Sequence, residues 1–339
     1  MTFEFKHIID AYLNAKQKHL DCVLATVVHL EGSSYRKPGV RMLIKSNGGI
    51  VGAVSGGCVE QEVKRQSDSV FKTAVPKVMT YDGRYRLGCE GILYILIEPF
   101  SLDLSIINKF RSYLKQRIPI QITSLFSTEV STNKSYGSYF LFRDEKNWFS
   151  KYNCPQEENK LMEFKDILPA RFRLIIFGTE HDTVQLCKFA HSMGWETVVV
   201  AGLSEHKSLN DFPGANELLY FENIDFNALC IDKLTAIVLM SHNYARDLRN
   251  LLALKHTLPI YIGLLGPVKR REKLISEVLE LQFEMLDEAF LDVIYGPAGL
   301  NIGAETPQEI AVSIVSEILS VVRQQHPISL REKTGHIHA

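Results

Sequence analysis

The stretch Phe172-Arg173-Leu174-Ile175-Ile176-Phe177-Gly178-Thr179-Glu180-His181-Asp182-Thr183 decides how the C-terminal half is read. Phe172 to Phe177 is a short, almost wholly apolar run, the pattern of a buried strand. Gly178 opens a turn, and Thr183 to Met193 is a helix stopped by Gly194. Working outward, Glu196 to Val200, Thr235 to Met240 and Ile260 to Leu265 are further strands, each followed by a helical pattern. Near the end, Thr306-Pro307-Gln308-Glu309 is a capping box with proline at the first helical position, and Ile310, Ile314, Ile318 and Val322 form one apolar stripe. Strands alternating with helices predict a parallel sheet covered on both faces, a Rossmann-like α/β domain over residues 171–323. Residues 324–339 are a polar tail.

Ligand sites of such folds lie beyond the carboxyl ends of the strands. A dinucleotide fingerprint needs Gly-x-Gly-x-x-Gly at the first turn, and only Gly178 is present. Glu180 replaces the second glycine, where its charge would repel pyrophosphate. Val200-Ala201-Gly202 stands where an acid is expected after the second strand. Both features argue against ordinary NAD(P) binding. His181 either contacts an anion or caps its helix. His242, in Ser241-His242-Asn243, follows the second buried strand of this set. Gly266 ends the next strand, with Lys269, Arg270 and Arg271 behind it as a solvated helix start. Gly296 lies in the glycine-rich turn Tyr295 to Gly303, which is placed to line the same crevice.

The N-terminal half reads differently. Residues 1–20 have helical spacing, and Cys22 to Leu30, Val40 to Ile44, Ile50 to Val54, Lys77 to Tyr81 and Ile92 to Ile97 read as strands. Val59 to Phe71 is a helix between them. These make a mixed α+β domain over residues 1–100. Residues 101–170 are expected as a connector with some secondary structure: a helix at Leu104 to Gln116, strands at Ile118 to Phe126 and Ser138 to Phe142, and a polar link from Lys151 to Asp166.

Two loops of this half carry chemistry. Gly32 to Arg41 holds Ser33, Ser34, Arg36, Lys37 and Arg41, hydroxyls and bases suited to an oxyanion such as phosphate; a solvated turn has the same composition. Gly56-Gly57-Cys58 opens a helix, where free N–H groups and the positive dipole end lower a thiol pKa, although Glu60 and Glu62 oppose this. Cys89 sits in a second glycine-flanked loop, Gly88-Cys89-Glu90-Gly91. Either cysteine could instead be a small buried hydrophobe. Together they suit a soft metal or sulfur transfer.

The 339 residues carry 38 Lys and Arg against 39 Asp and Glu, so no bulk field favours nucleic acid. The longest apolar run, Leu258 to Val268, falls short of the about 20 residues that span a bilayer, and the N-terminus lacks a signal-peptide pattern. A cytoplasmic protein is expected. Six cysteines without a CxxC pair argue against a zinc ribbon or iron–sulfur cluster, and no direct protein metal site is expected.

Several segments, in order, resemble the XdhC/CoxI family of xanthine dehydrogenase accessory proteins. They are Gly32 to Met42, Gly52 to Glu60, Leu87-Gly88-Cys89, Tyr261 to Pro267 with Lys269 to Leu274, and Ile294 to Pro307. The resemblance covers about 1–100 and 171–323. It implies an XdhC/CoxI domain followed by a Rossmann domain, and a chaperone that transiently binds the molybdenum cofactor. It further implies support for exchange of an oxo for a sulfido ligand and delivery to an apo xanthine dehydrogenase-type enzyme of purine catabolism. A cysteine desulfurase as sulfur donor and a homodimer are family-level expectations. On this reading Ser33, Ser34, Arg36 and Arg41 hold the pterin phosphate, and Cys58 and Cys89 face molybdenum or carry sulfur. The chain departs from the family at Gly178-Thr179-Glu180-His181, where Gly-x-Gly-His is usual, at Ala201-Gly202-Leu203, where Asp-Pro-Arg is common, and at Glu90. The competing readings are an NAD(P)-dependent oxidoreductase, on fold class alone, and a nucleotide-sensing scaffold that docks the dehydrogenase. The name xanthine dehydrogenase, sometimes given to such chains, would not describe an activity, since no iron–sulfur domain is recognisable.

Overall fold

A computed structural model describes residues 2–32, 37–55, 57–83, 91–151, 161–226, 228–282 and 288–334. The chain divides into two compact units, Met1–Ala170 and Arg171–Ala339.

In the first unit, helix α1 (Thr2–Gln17) leads into β1 (Cys22–Glu31), β2 (Arg41–Lys45) and β3 (Ile50–Gly52), then α2 (Cys58–Thr73), β4 (Lys77–Asp82) and β5 (Ile92–Pro99). The strands form an antiparallel sheet in the order β3-β2-β1-β5-β4. Alternation along β1 decides what packs where. Val23, Ala25 and Val27 meet Val59, Val63 and Val70 of α2. Leu24 faces the opposite way, toward Phe5 and Ile8 of α1.

Residues 101–170, expected as a connector, carry α3 (Leu104–Lys115) and a second antiparallel sheet of β6 (Ile120–Phe126), β7 (Gly137–Phe142), β8 (Glu145–Trp148) and β9 (Met162–Leu168), ordered β8-β7-β6-β9. Phe110, Ile120, Ile122 and Phe140 share one core with α1. The polar link read over 151–166 ends in β9, where Asp166 and Leu168 point inward while Glu163, Lys165 and Ile167 are exposed.

Arg41, Asp166 and Glu98 are charged groups in this unit's interior. Arg41 donates to Asp166 Oδ2 at 2.6 Å and to the Gly39 carbonyl at 2.9 Å, with its guanidinium 5.3 Å from the Phe5 ring centroid. The Arg41 and Asp166 side chains are 3% and 6% exposed. Glu98 of β5 is fully buried and accepts the Ser138 amide at 2.8 Å and its hydroxyl at 2.6 Å. Burial pushes the Glu98 carboxyl up to about 7, against the Ser138 donors and the nearby Arg41 charge, which pull it down.

The second unit runs β10 (Arg173–Phe177), α4 (His181–Ser192), β11 (Glu196–Ala201), β12 (Glu217–Tyr220), β13 (Thr235–Leu239), α5 (Tyr244–Leu254), β14 (Tyr261–Leu264), α6 (Val268–Gln282), α7 (Glu288–Asp292), β15 (Ile294–Tyr295) and α8 (Pro307–Arg323). These strands pair in parallel throughout, ordered β12-β11-β10-β13-β14-β15. This is the doubly wound order, with its reversal at β10. Leu174 and Ile176 face Leu186 of α4 and Ile314 and Ile318 of α8. Ile175 and Phe177 face Leu251, Leu274 and Phe290. The Rossmann-like expectation is met. β12 and β15 are additions to it, each too short to show a period. The expected capping box forms: the Glu309 amide donates to Thr306 Oγ1 at 3.3 Å, and the Thr306 amide to Glu309 Oε2 at 2.9 Å.

Two outcomes follow for the first unit. Asp166→Ala leaves Arg41 buried without its counter-charge and should cost about 3–5 kcal/mol. Urea unfolding followed through Trp148, in a Trp195→Phe background, measures it; a loss below about 1 kcal/mol would contradict the buried-pair reading. Glu98 binds its proton more tightly folded than unfolded, because its ordinary value is 4.5 and its folded value about 7. Its contribution is therefore fully present below pH 4.5 and is lost as pH rises to about 7. In Glu98→Gln that slope should vanish between those limits, and identical pH profiles for the two proteins would refute the assignment.

Candidate functional site

In the first unit the chain leaves β3 and reaches α2 through Gly57, whose φ is +94°. No atom lies within 4 Å of where a Cβ would stand, so glycine serves the backbone conformation there, not a shortage of room. Cys58 is the first residue of α2, and its backbone stands at the positive end of the helix dipole. The two neighbouring carboxylates are engaged. Glu60 is buried and accepts the Ser55 amide at 2.7 Å. Glu62 accepts Arg65 at 2.6 and 2.9 Å and Gln66 at 2.8 Å, which hold its carboxyl down to about 2.

Ser33, Ser34, Arg36, Gly56 and Cys89 lie outside the described residues. Arg41 does not join an exposed anion loop as expected. It begins β2, strand alternation turns it inward, and Asp166 holds it there. Burial pulls its guanidinium below the ordinary value, against the attraction of Asp166. The described cysteines separate clearly. Burial raises the Cys22 thiol to about 11 and the Cys187 thiol to about 12, which keeps both protonated near neutrality, while Cys230 is exposed in the second unit.

In the second unit, Gly178 ends β10 with φ +147°, and a Cβ there would stand 2.5 Å from the Met240 carbonyl oxygen. The turn is pressed against the end of β13, which places it at the strand-order reversal. His181 opens α4, 3.5 Å from Gln185 Nε2 along the same helix. His242 lies 3.2 Å from Asp182 Oδ2. Gly178 and His181 thus lie past the carboxyl end of β10, and His242 past that of β13. Gly266 and Gly296 act otherwise. A Cβ on either would meet the stem of Arg270 at 2.7 Å or Arg271 at 2.9 Å, so they seat arginines. Arg270 is not simply solvated: it donates to buried Asp247 at 2.8 Å, and Asp247 also accepts the Ser241 hydroxyl at 2.6 Å.

Glu205 is a site residue that the sequence reading misses. No acid directly follows β11, but a single helical turn, Leu203–Glu205, returns a carboxylate to the strand end. Its Oε2 accepts the Thr179 hydroxyl at 2.9 Å and the Gly202 amide at 3.1 Å, and its Oε1 accepts Arg246 of α5. Burial raises the Glu205 carboxyl, but these donors outweigh it and leave it below the ordinary range. The spacing Gly202-Leu203-Ser204-Glu205, an amide followed three residues later by glutamate, is the signal that could have found it. A dinucleotide needs uncovered backbone beneath its pyrophosphate and a free acid for its ribose. Glu180 stands in place of the second glycine, and both Glu205 carboxylate oxygens already accept donors. Among the described residues no cluster of three His, Cys, Asp or Glu is placed to hold a metal, and no helix is long and apolar enough to cross a membrane.

Comparison with known proteins matches both units. Residues 15–82 match the XdhC and CoxI family, and residues 174–318 match the XdhC Rossmann domain. A Bacillus subtilis (strain 168) protein named as a probable xanthine dehydrogenase subunit is 30% identical, over 93% of this chain and 96% of its own. The molybdenum cofactor insertion chaperone PaoD of Escherichia coli (strain K12) is 21% identical, over 95% of this chain and 90% of its own. A solved Bacillus halodurans structure, described as a xanthine dehydrogenase, aligns with a TM-score of 0.72 at 28% identity, covering 94% of this chain and 96% of the other. Two matched domains in the family's order, with near end-to-end similarity to such relatives, establish that the chain belongs to the XdhC and CoxI family.

Proposed function

We propose that the protein is a chaperone that binds the molybdenum cofactor transiently and delivers it to an apo xanthine dehydrogenase-type enzyme. The observation that carries this reading is Cys58 as the first residue of α2, behind the left-handed Gly57, in a chain whose relatives include a molybdenum cofactor insertion chaperone. A cysteine at a helix start is favoured as a thiolate, and thiolate is the soft donor that molybdenum and sulfur chemistry use. The Arg65 counter-charge on Glu62 lessens that carboxylate's opposition to a thiolate. Cys22 and Cys187 are excluded from the role by burial.

On this reading Cys58 and Cys89 contact molybdenum or pass sulfur, and Ser33, Ser34 and Arg36 receive the pterin phosphate. Arg41 supports their loop from within through the Gly39 carbonyl. Exchange of an oxo for a sulfido ligand would take place on the bound cofactor, with a cysteine desulfurase as donor, on a homodimer. These roles place the chemistry in the cargo and leave the protein without turnover of its own.

Anaerobic titration of the full chain with molybdenum cofactor tests the reading. Binding should saturate, weaken about tenfold or more in Cys58→Ala, and be unchanged in Cys230→Ala, whose thiol is exposed in the other unit. Absence of saturable binding by the unaltered protein would sink the chaperone reading.

A further inference from the structure

The crevice where the strand order reverses holds the groups a nucleoside would meet, but they meet each other. Glu205 reaches it from the β11 side and Arg246 from the β13 side, so their ion pair passes over the end of β10. A Cβ on Gly202 would stand 3.4 Å from Arg246 Nη2, which puts the guanidinium against the backbone just past β11. In a nucleotide-binding unit that backbone faces the ribose. Beside the pair, Arg249 lies over the Phe221 ring at 4.3 Å. The space left between these groups is about 20 Å³, room for about one water molecule. A bound small molecule needs on the order of several hundred Å³.

We propose that the Glu205–Arg246 pair is an internal occupant of the nucleoside position, so that this unit takes up no dinucleotide. Opening the pair would expose a site for an uncharged nucleoside. Glu205 would keep its Thr179 and Gly202 donors on one oxygen and present the other to ribose hydroxyls. Phosphate would still be disfavoured, because Glu180 stands at the turn where pyrophosphate must approach. The inference is independent of the cofactor reading: molybdenum cofactor binding concerns the first unit, and each succeeds or fails without the other.

The test is calorimetric titration of the full chain with adenosine and with NADH. The unaltered protein should bind neither at concentrations up to about 1 mM, the millimolar limit of weak affinity. Arg246→Ala should bind adenosine at least about tenfold more tightly than the unaltered protein, with a smaller gain for NADH. Adding Glu205→Ala to Arg246→Ala should remove the gain. Thermal melting establishes that the variants fold. Should Arg246→Ala not fold, Arg246→Gln, shorter and uncharged, is the replacement and should show a gain of the same sign. Saturable binding of NADH or adenosine by the unaltered protein overturns the proposal. So does a folded Arg246 variant that gains nothing.

Discussion

A guanidinium and a carboxylate removed from water join the two sheets of the first unit. Arg41 comes from β2 of one sheet and Asp166 from β9 of the other, 125 positions away in sequence. Neither tolerates burial without the other, so any packing of the sheets that separates them strands two charges. Glu98 on β5 and Ser138 on β7 add a second polar link between the same layers. Hydrophobic contact around Phe5, Phe110 and Phe140 supplies the bulk of the burial, but apolar surfaces slide over one another more readily than paired charges do. The polar links specify one alignment. The first of them also anchors β2 at its first residue, where Arg41 holds the Gly39 carbonyl as well as Asp166.

The second unit also places ion pairs on its rim. Its sheet is apolar on both faces, as a parallel sheet must be when helices cover it. Past the carboxyl ends of β10, β11 and β13, Glu205 pairs with Arg246 and Asp182 with His242, all four side chains partly exposed. Rim pairs are partly wet and rearrange more cheaply than a dry pair. The first unit therefore holds its ionic contacts as architecture, whereas the second holds them where a ligand would compete for them.

Much of this is legible in the sequence, and the failures have physical causes. The alternation of apolar strand and helix around Phe172 to Gly178 is strong because a two-sided buried strand has few polar residues to confuse it. β9 reads as a polar link because one of its faces is wet and a charge, Asp166, occupies the dry one. Arg41 looks like part of a basic loop, since the first residue of a strand carries no mark of its inward direction. Glu205 escapes notice because one helical turn brings it back to a strand end it does not follow in sequence. The histidine–carboxylate contact of His242 and Asp182 spans 60 positions and has no local signature. Gly266 and Gly296 stand out as glycines, but nothing local says that they make way for arginine stems.

The tight passage of Gly178 past the Met240 carbonyl bears on what a glycine at such a turn signifies. A side chain is forbidden there by the neighbouring strand, with no ligand involved. The packing of the sheet alone therefore compels this glycine, whatever the unit binds. A glycine at such a turn is then evidence of how two strands meet, and says nothing by itself of a cofactor.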